Sequence, residues 1–210
     1  MSLELTLHEG IAALGMTLPS DQAEAMEAKL MAYLRLLSKW NRTYNLTAIR
    51  DEAEMVTHHL LDSLSLAPHL EGIDTLADVG SGAGLPGIPL AIVRPDLKIT
   101  SIETVEKKVA FQQQAKIELK LANFTAHGAR VEKTQGQFAA VTSRAFADLA
   151  DFVAWSGHLV QSGGRLLAMK GVYPADEIAR LPEGWRLVES RELKVPGLDA
   201  ERHLLIVEKI

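Results

Sequence analysis

No cysteine occurs among the 210 residues. Its absence excludes disulfide frameworks, thiolate zinc sites, iron–sulfur clusters and any cysteine nucleophile, and it suits a reducing compartment. The chain opens Met-Ser-Leu-Glu, with no basic segment of the kind that starts a secretion signal, and no apolar run approaches membrane-spanning length. A cytoplasmic protein with no membrane partner is expected. Excess positive charge is also missing: the formal net charge is -5, which argues against a protein that coats nucleic acid non-specifically. Repeats, low-complexity stretches and interdomain linkers are absent too. What is present is 47% hydrophobic and 23% charged residues, enough for a real core and too apolar for wholesale disorder. The length fits one domain of ordinary size with a short extension.

The charge is segregated. Residues 1–27 hold five acids (Glu4, Glu9, Asp21, Glu24, Glu27) and no Lys or Arg, whereas residues 28–50 hold five bases (Lys29, Arg35, Lys39, Arg42, Arg50) and no acid. Ser20 as N-cap, with Asp21 in the first turn, predicts a helix running to about Trp40. Met26, Leu30, Tyr33, Leu37 and Trp40 share one face of it, and Arg35, Lys39 and Arg42 recur on the opposite face. That basic strip is either a solvated helix face or a surface aimed at an acidic ligand.

Beyond a second amphipathic segment at 53–66, short apolar runs alternate with helical stretches. Residues 75–79, 98–102, 124–127, 138–142 and 165–169 read as strands. Residues 87–93, 106–121, 148–160 and 174–181 read as the helices between them. This order predicts an α/β fold with a parallel sheet covered on both faces. Two final strands, 185–193 and 203–208, follow without an intervening helix and predict an antiparallel hairpin closing one edge.

Asp78-Val79-Gly80-Ser81-Gly82-Ala83-Gly84-Leu85-Pro86-Gly87 follows the first strand directly. Glycines there let the backbone turn tightly and approach a ligand closely, with a helix N-terminus behind them, at the strand end where open parallel sheets bind ligands. The pattern G-x-G-x-x-G occurs at Gly82, Gly84 and Gly87, so a dinucleotide site is one reading. The strand ends two residues too early for it, however, and Pro86 and Pro89 crowd the helix start where a pyrophosphate needs N–H donors. Asp78, a carboxylate in a buried strand, is costly unless a charged or hydrogen-bonding group meets it. Glu103 ends the next strand and is placed to accept both hydroxyls of a ribose, in a nicotinamide or an adenosyl cofactor alike. The chemistry of the residues leaves three readings: a methyltransferase, an NAD(P)-dependent oxidoreductase, or a non-catalytic nucleoside-binding module.

These residues resemble the S-adenosylmethionine site of class I methyltransferases, which have a Rossmann-like fold. With Trp40-Asn41-Arg42-Thr43-Tyr44-Asn45-Leu46-Thr47, His59-Leu60-Leu61-Asp62-Ser63, Gly84-Leu85-Pro86-Gly87-Ile88-Pro89-Leu90, Ser143-Arg144-Ala145-Phe146 and Lys170-Gly171, the whole chain resembles the glucose-inhibited division protein B family. Those proteins are bacterial methyltransferases of guanine N7 in small-subunit (16S) ribosomal RNA. The resemblance implies S-adenosyl-L-methionine as cofactor and 16S ribosomal RNA or the small subunit as partner, for a protein acting as a monomer. It divides the chain into an RNA-facing helical part, 1–70, and a methyltransferase domain, 71–210. By position, Gly80 and Leu85 contact the cofactor in the loop that Asp78 and Gly82 complete, Glu103 holds the ribose, Val131 and Glu132 flank the adenine, and Arg144 lines the cofactor and substrate pocket. Arg35, Lys39, Arg42, Asn45, His59 and Lys170 are the expected RNA contacts.

The chemistry agrees from another direction. Guanine N7 has a lone pair and no proton to lose, so in-line attack on a sulfonium methyl needs position more than a general base. Attack through pyrimidine C5 usually uses cysteine, and methylation of exocyclic amines commonly uses Asn/Asp-Pro-Pro-aromatic, where this chain has Ser143-Arg144-Ala145-Phe146. Ribose and protein acceptors remain open. Arg144 and Lys170, at strand ends facing the crevice, are the candidate catalytic residues, and an Arg there can fork onto a carboxylate or phosphate. His58 and His59 point to different sides of a helix, so no metal site is expected. His59 and Asp62 are expected in a structural or RNA-facing hydrogen-bond network, and Tyr44 either stacks on a base or packs locally.

Overall fold

Short apolar runs, covered on both faces in the middle of the sheet, set its strands. In the computed structural model, which describes residues 2–17, 19, 21–145 and 147–210, seven strands form. They are β1 (Thr75–Val79), β2 (Lys98–Glu103), β3 (Phe124–Gly128), β4 (Phe138–Arg144), β5 (Val160–Lys170), β6 (Trp185–Glu192) and β7 (His203–Lys209). Their order across the sheet is β3-β2-β1-β4-β5-β7-β6. β1 to β5 run parallel, and β7 lies antiparallel between β5 and β6. The expected hairpin is therefore present, with its second strand inserted beside β5 and its first on the edge. The strand order reverses between β1 and β4, the switch point where a crevice opens beyond the carboxyl ends.

The helices are α1 (Leu3–Ala13), α2 (Ala23–Tyr44), α3 (Glu52–Met55), α4 (Asp62–Leu64), α5 (Gly87–Val93), α6 (Glu106–Leu119), α7 (Leu149–Ser156) and α8 (Ala175–Ala179), with a π-helical turn over Val56–Leu61. Alternation along β1 sends Leu76 into a core shared with α1, α2, α5 and α6, and sends Ala77 and Val79 into a second core under α7. Leu7, Leu30 and Leu34 of the N-terminal helices are buried together with Leu76, Ile99 and Phe111, so these helices and one face of the sheet make a continuous core.

Several boundaries differ from the sequence reading. Ser20 lies outside the described residues; α2 begins at Ala23 and continues past Trp40 to Tyr44. It stops where Asn45 takes φ 48°, a left-handed cap that Asn tolerates better than most residues. Asn41 fixes the exit: its amide donates to the Ile49 carbonyl at 3.0 Å and its carbonyl accepts from Thr47 N–H at 2.9 Å. The helix expected over 148–160 is α7 plus a 3-10 turn, because β5 starts early, at Val160. Gly163, at φ 74°, takes up the irregular register there. Among the described residues no helix is long and apolar enough to cross a membrane.

Candidate active site

The glycine loop leaves β1 at Gly80, whose φ of 66° suits glycine and whose N–H donates to the Ile102 carbonyl at 2.9 Å. Side chains from several elements hold the loop, Ser101 of β2 among them through a hydroxyl–hydroxyl bond to Ser81. Glu103 accepts from Gly82 N–H at 2.8 Å through Oε2, and from the Thr104 and Val105 N–H groups, both at 2.9 Å, through Oε1. Gln112 of α6 donates to Ser81 Oγ at 2.9 Å and to the Gly82 carbonyl at 2.7 Å, and itself accepts from Ser101 Oγ at 2.6 Å. From α2, Tyr33 donates its phenolic O–H to the Ala83 carbonyl at 2.8 Å. Beneath the loop, Asp78 is fully buried and its Oδ2 accepts from Gly87 N–H at 2.8 Å. Gly87 is required here: a Cβ would come within 2.8 Å of that oxygen.

Among the described residues, nothing donates to Asp78 Oδ1. Burial pushes this carboxyl up to about 7, against the lowering pull of the Gly87 N–H and of Arg144. The start of α5 is thereby closed to an anion. The N–H of Gly87 is spent on Asp78, and Pro89 has none.

Beside the loop lies a cavity of about 400 Å³, lined among others by Val79, Gly80, Glu103, Val131, Glu132 and Trp155. Its size falls in the range of small-molecule sites. Gly80, Glu103, Val131 and Glu132 thus meet at one place, as expected. Three further residues do not. Asp78 and Leu85 are buried beneath the loop, whereas Gly82, half-buried, sits at the edge of the cavity and donates its N–H to Glu103. Sequence reasoning missed Tyr33 and Gln112 as loop clamps and Thr104 and Trp155 as lining. A polar Gln at the buried position of α6 was the available signal for one of them.

A second cavity, of about 280 Å³, lies beyond the ends of β4 and β5, lined by Arg144, Ala145, Met169, Lys170, Gly171, Asp62 and Arg202. Arg144 donates through Nη1 to the His58 carbonyl and to Asp62 Oδ2, both at 2.8 Å. Arg202 reaches the other oxygen of Asp62 at 2.8 Å. Lys170 donates to the Ala147 carbonyl at 2.9 Å and to Glu177 at 2.6 Å. Arg144 lines this second cavity and not the first; its charge nevertheless reaches Asp78 and Tyr33.

The remaining expected RNA contacts are dispersed. Arg35, Lys39 and Arg42 are exposed along α2, with Arg35 paired to Glu4 at 2.7 Å. Asn45 is exposed and accepts from Arg50 at 2.7 Å. His59 takes the structural one of the two roles expected for it. The π-helical turn points it inward, buried, with Nε2 at 2.9 Å from Thr47 Oγ1, so it braces the 41–47 turn. Burial first, and then the Arg144 charge, push it down to about 4, so it is neutral. Asp62 does join a hydrogen-bond network, with arginines 82 and 140 residues away. Tyr44 packs on Trp40, with ring centroids 5.1 Å apart, while remaining 44% exposed.

Known proteins place this geometry. Among solved structures, a SAM-dependent methyltransferase from Aquifex aeolicus matches with a TM-score of 0.56 at 18% identity, over 72% of this chain and 91% of its own. M. jannaschii TYW2 in complex with AdoMet matches at 0.51 and 17% identity, over 65% and 69%. Both share the fold. The ribosomal RNA small subunit methyltransferase G of Aromatoleum aromaticum is 62% identical over 210 residues, covering 97% of this chain and 98% of that protein. The one from Neisseria meningitidis serogroup C strain FAM18 is 55% identical over 204 residues, covering 97% of each. The sequence pattern of the GidB family, described as rRNA small subunit methyltransferase G, matches residues 26–205. The chain belongs to that family.

Proposed function

We propose that this protein transfers a methyl group from S-adenosyl-L-methionine to N7 of one guanine in small-subunit (16S) ribosomal RNA, acting in the cytoplasm as a monomer. The observation that carries the reading is Glu103, a carboxylate fixed by three backbone N–H groups at the rim of the cavity beside Gly80. Oε1 takes two donors and Oε2 only one, which leaves Oε2 able to accept from a ribose hydroxyl. The cavity fits the group. Val131 and Trp155 supply apolar walls for an adenine, Glu132 an acceptor for its amino group, and Gly80 a backbone that a ligand approaches closely.

The bound cofactor supplies an electrophilic methyl group on a sulfonium. What the chain adds is placement. Tyr33, Gln112 and Glu103 hold the glycine loop rigid, so the loop is organised before any ligand arrives. Guanine N7 brings its own lone pair, so no side chain need take a proton. That accords with a second cavity at the ends of β4 and β5 whose strand-end residues, Arg144 and Lys170, are cations. They are suited to hold the anionic strand and are proposed as substrate-positioning groups. The helical part at 1–70 presents Lys39 and Arg42 as an additional grip on the RNA. The nicotinamide reading is disfavoured by the closed start of α5.

Titration calorimetry tests the assignment. S-adenosylhomocysteine binds and NAD does not. Glu103→Ala loses the charge-assisted bonds to the ribose, about 1.5–3 kcal/mol or roughly 10- to 100-fold in affinity. Tight NAD binding, or unaltered homocysteine-analogue affinity in the Glu103 variant, contradicts it.

A further inference from the structure

The Asp62 carboxylate, with 3% of its side chain exposed, serves two guanidinium groups at once: Arg144 from the end of β4 through Oδ2, and Arg202 from just before β7 through Oδ1, each at 2.8 Å. One negative charge between two positive ones leaves the cluster one charge in excess. The next carboxylate, Glu177, is taken up by Lys170 at 2.6 Å and does not cancel it. The hydrogen-bond inventory gives the same answer. Arg144 spends Nη1 on His58 and Asp62, and Arg202 spends Nε on Asp62 and Nη1 on the Glu201 carbonyl. Among the described residues, Nε and Nη2 of Arg144 and Nη2 of Arg202 donate to nothing.

Both arginines line the cavity of about 280 Å³ at the carboxyl end of the sheet, with side chains only 19% and 25% exposed. Excess charge and unused donors in such a half-desolvated place call for an anion. Two features of the backbone point the same way. Ala145, next to Arg144, holds φ 52°, a left-handed conformation that costs a non-glycine residue about 1 kcal/mol or more and is kept mostly at functional sites. Across the cavity, no described residue lies within 4 Å of where a Cβ on Gly171 would stand, so that backbone is open to a ligand.

We propose that Arg144 and Arg202, held apart by Asp62, form a pincer for one backbone phosphate of the RNA strand that carries the target guanine. The proposal rests on the reading that RNA is the substrate, and it assigns Arg202 as a substrate-binding residue and Asp62 as a positioning residue. A phosphodiester presents two non-bridging oxygens, one to each guanidinium, a geometry that planar Arg forks match and a Lys ammonium does not. Because Asp62 follows the π-helical turn, the N-terminal helices set the gap between the two arginines. The methionine carboxylate of the cofactor is the other anion within this chemistry, and the test separates the two.

The experiment measures methyl transfer to unmodified small ribosomal subunits across a range of potassium chloride at fixed magnesium, alongside S-adenosylhomocysteine binding by calorimetry. Arg202→Gln raises KM about tenfold and lowers the slope of log(1/KM) against log[salt] by about 0.7–0.9, the signature of one lost phosphate contact. Its analogue affinity stays within twofold of the parent. Arg202→Lys keeps the charge and so keeps the slope, while KM still rises several-fold because the fork is lost. An unchanged slope in Arg202→Gln, or a slope that falls equally in Arg202→Lys, overturns the pincer. Analogue affinity falling tenfold in Arg202→Gln assigns the arginines to the cofactor carboxylate and also overturns it. Failure of the parent protein to methylate subunits at all counts against the proposed function itself and is read separately.

Discussion

Tyr33→Phe isolates the link between the N-terminal helices and the glycine loop. The tyrosine is fully buried, with its ring 6.0 Å from that of Phe111, and only its hydroxyl is polar. Burial pushes the phenol far above its ordinary range, so it remains a donor at every accessible pH. Phenylalanine keeps the ring and removes the 2.8 Å bond to the Ala83 carbonyl. A neutral hydrogen bond is worth about 1 kcal/mol net, and leaving the carbonyl unpaired in the interior adds to the loss, so about 1–2 kcal/mol of stability is forfeited. For a chain of this size each kcal/mol lowers Tm by about 2–4 °C, giving a drop of roughly 2–8 °C in a thermal melt. Because the bond holds the loop, S-adenosylhomocysteine affinity falls as well, by about 3- to 10-fold in calorimetry. A variant that melts and binds like its parent refutes the view that α2 braces the cofactor loop.

Asp78→Asn probes the buried carboxyl. Burial raises it to about 7, so the folded protein holds this proton more tightly than the unfolded chain does. Its stabilising contribution is therefore present at acid pH and is lost as pH rises through about 7. The parent loses Tm between about pH 4 and about pH 7 and levels off above that, and the Asn variant shows a shallower decline; parallel profiles contradict the assignment. Lys39→Glu combined with Arg42→Glu weakens RNA binding and its salt dependence and leaves S-adenosylhomocysteine binding intact. Arg35→Glu does less, because Glu4 already offsets that charge. Equal RNA affinity in all three proteins at moderate salt reduces the strip to a solvated helix face.

The sheet was legible because β1, β2, β4 and the second half of β5 are covered on both faces and so read as short apolar runs, with the glycine loop and Glu103 marking the ends of β1 and β2. The limits of that legibility are physical. Whether the second strand of a terminal hairpin lies inside or outside the first is decided by pairing with β5, which no local pattern encodes. The π-helical turn depends on packing in the same way; it turns His59 inward, where helical spacing alone left its direction open. Cation positions were found, but their partners were not. Glu4 for Arg35, Glu177 for Lys170 and Asp62 for both Arg144 and Arg202 come from distant segments. The two cavities likewise assemble residues from different strand ends, so Glu103 and Arg144, which sequence reasoning placed together at one pocket, line separate ones.

The most direct test of the account is to map the product. The purified protein is incubated with methyl-labelled S-adenosylmethionine and small subunits from a strain lacking the gene, and the ribosomal RNA is digested and read by mass spectrometry. Label is expected at a single guanosine, carried on N7. Label on an exocyclic amine, on a ribose or on ribosomal protein, or no transfer at all, contradicts it.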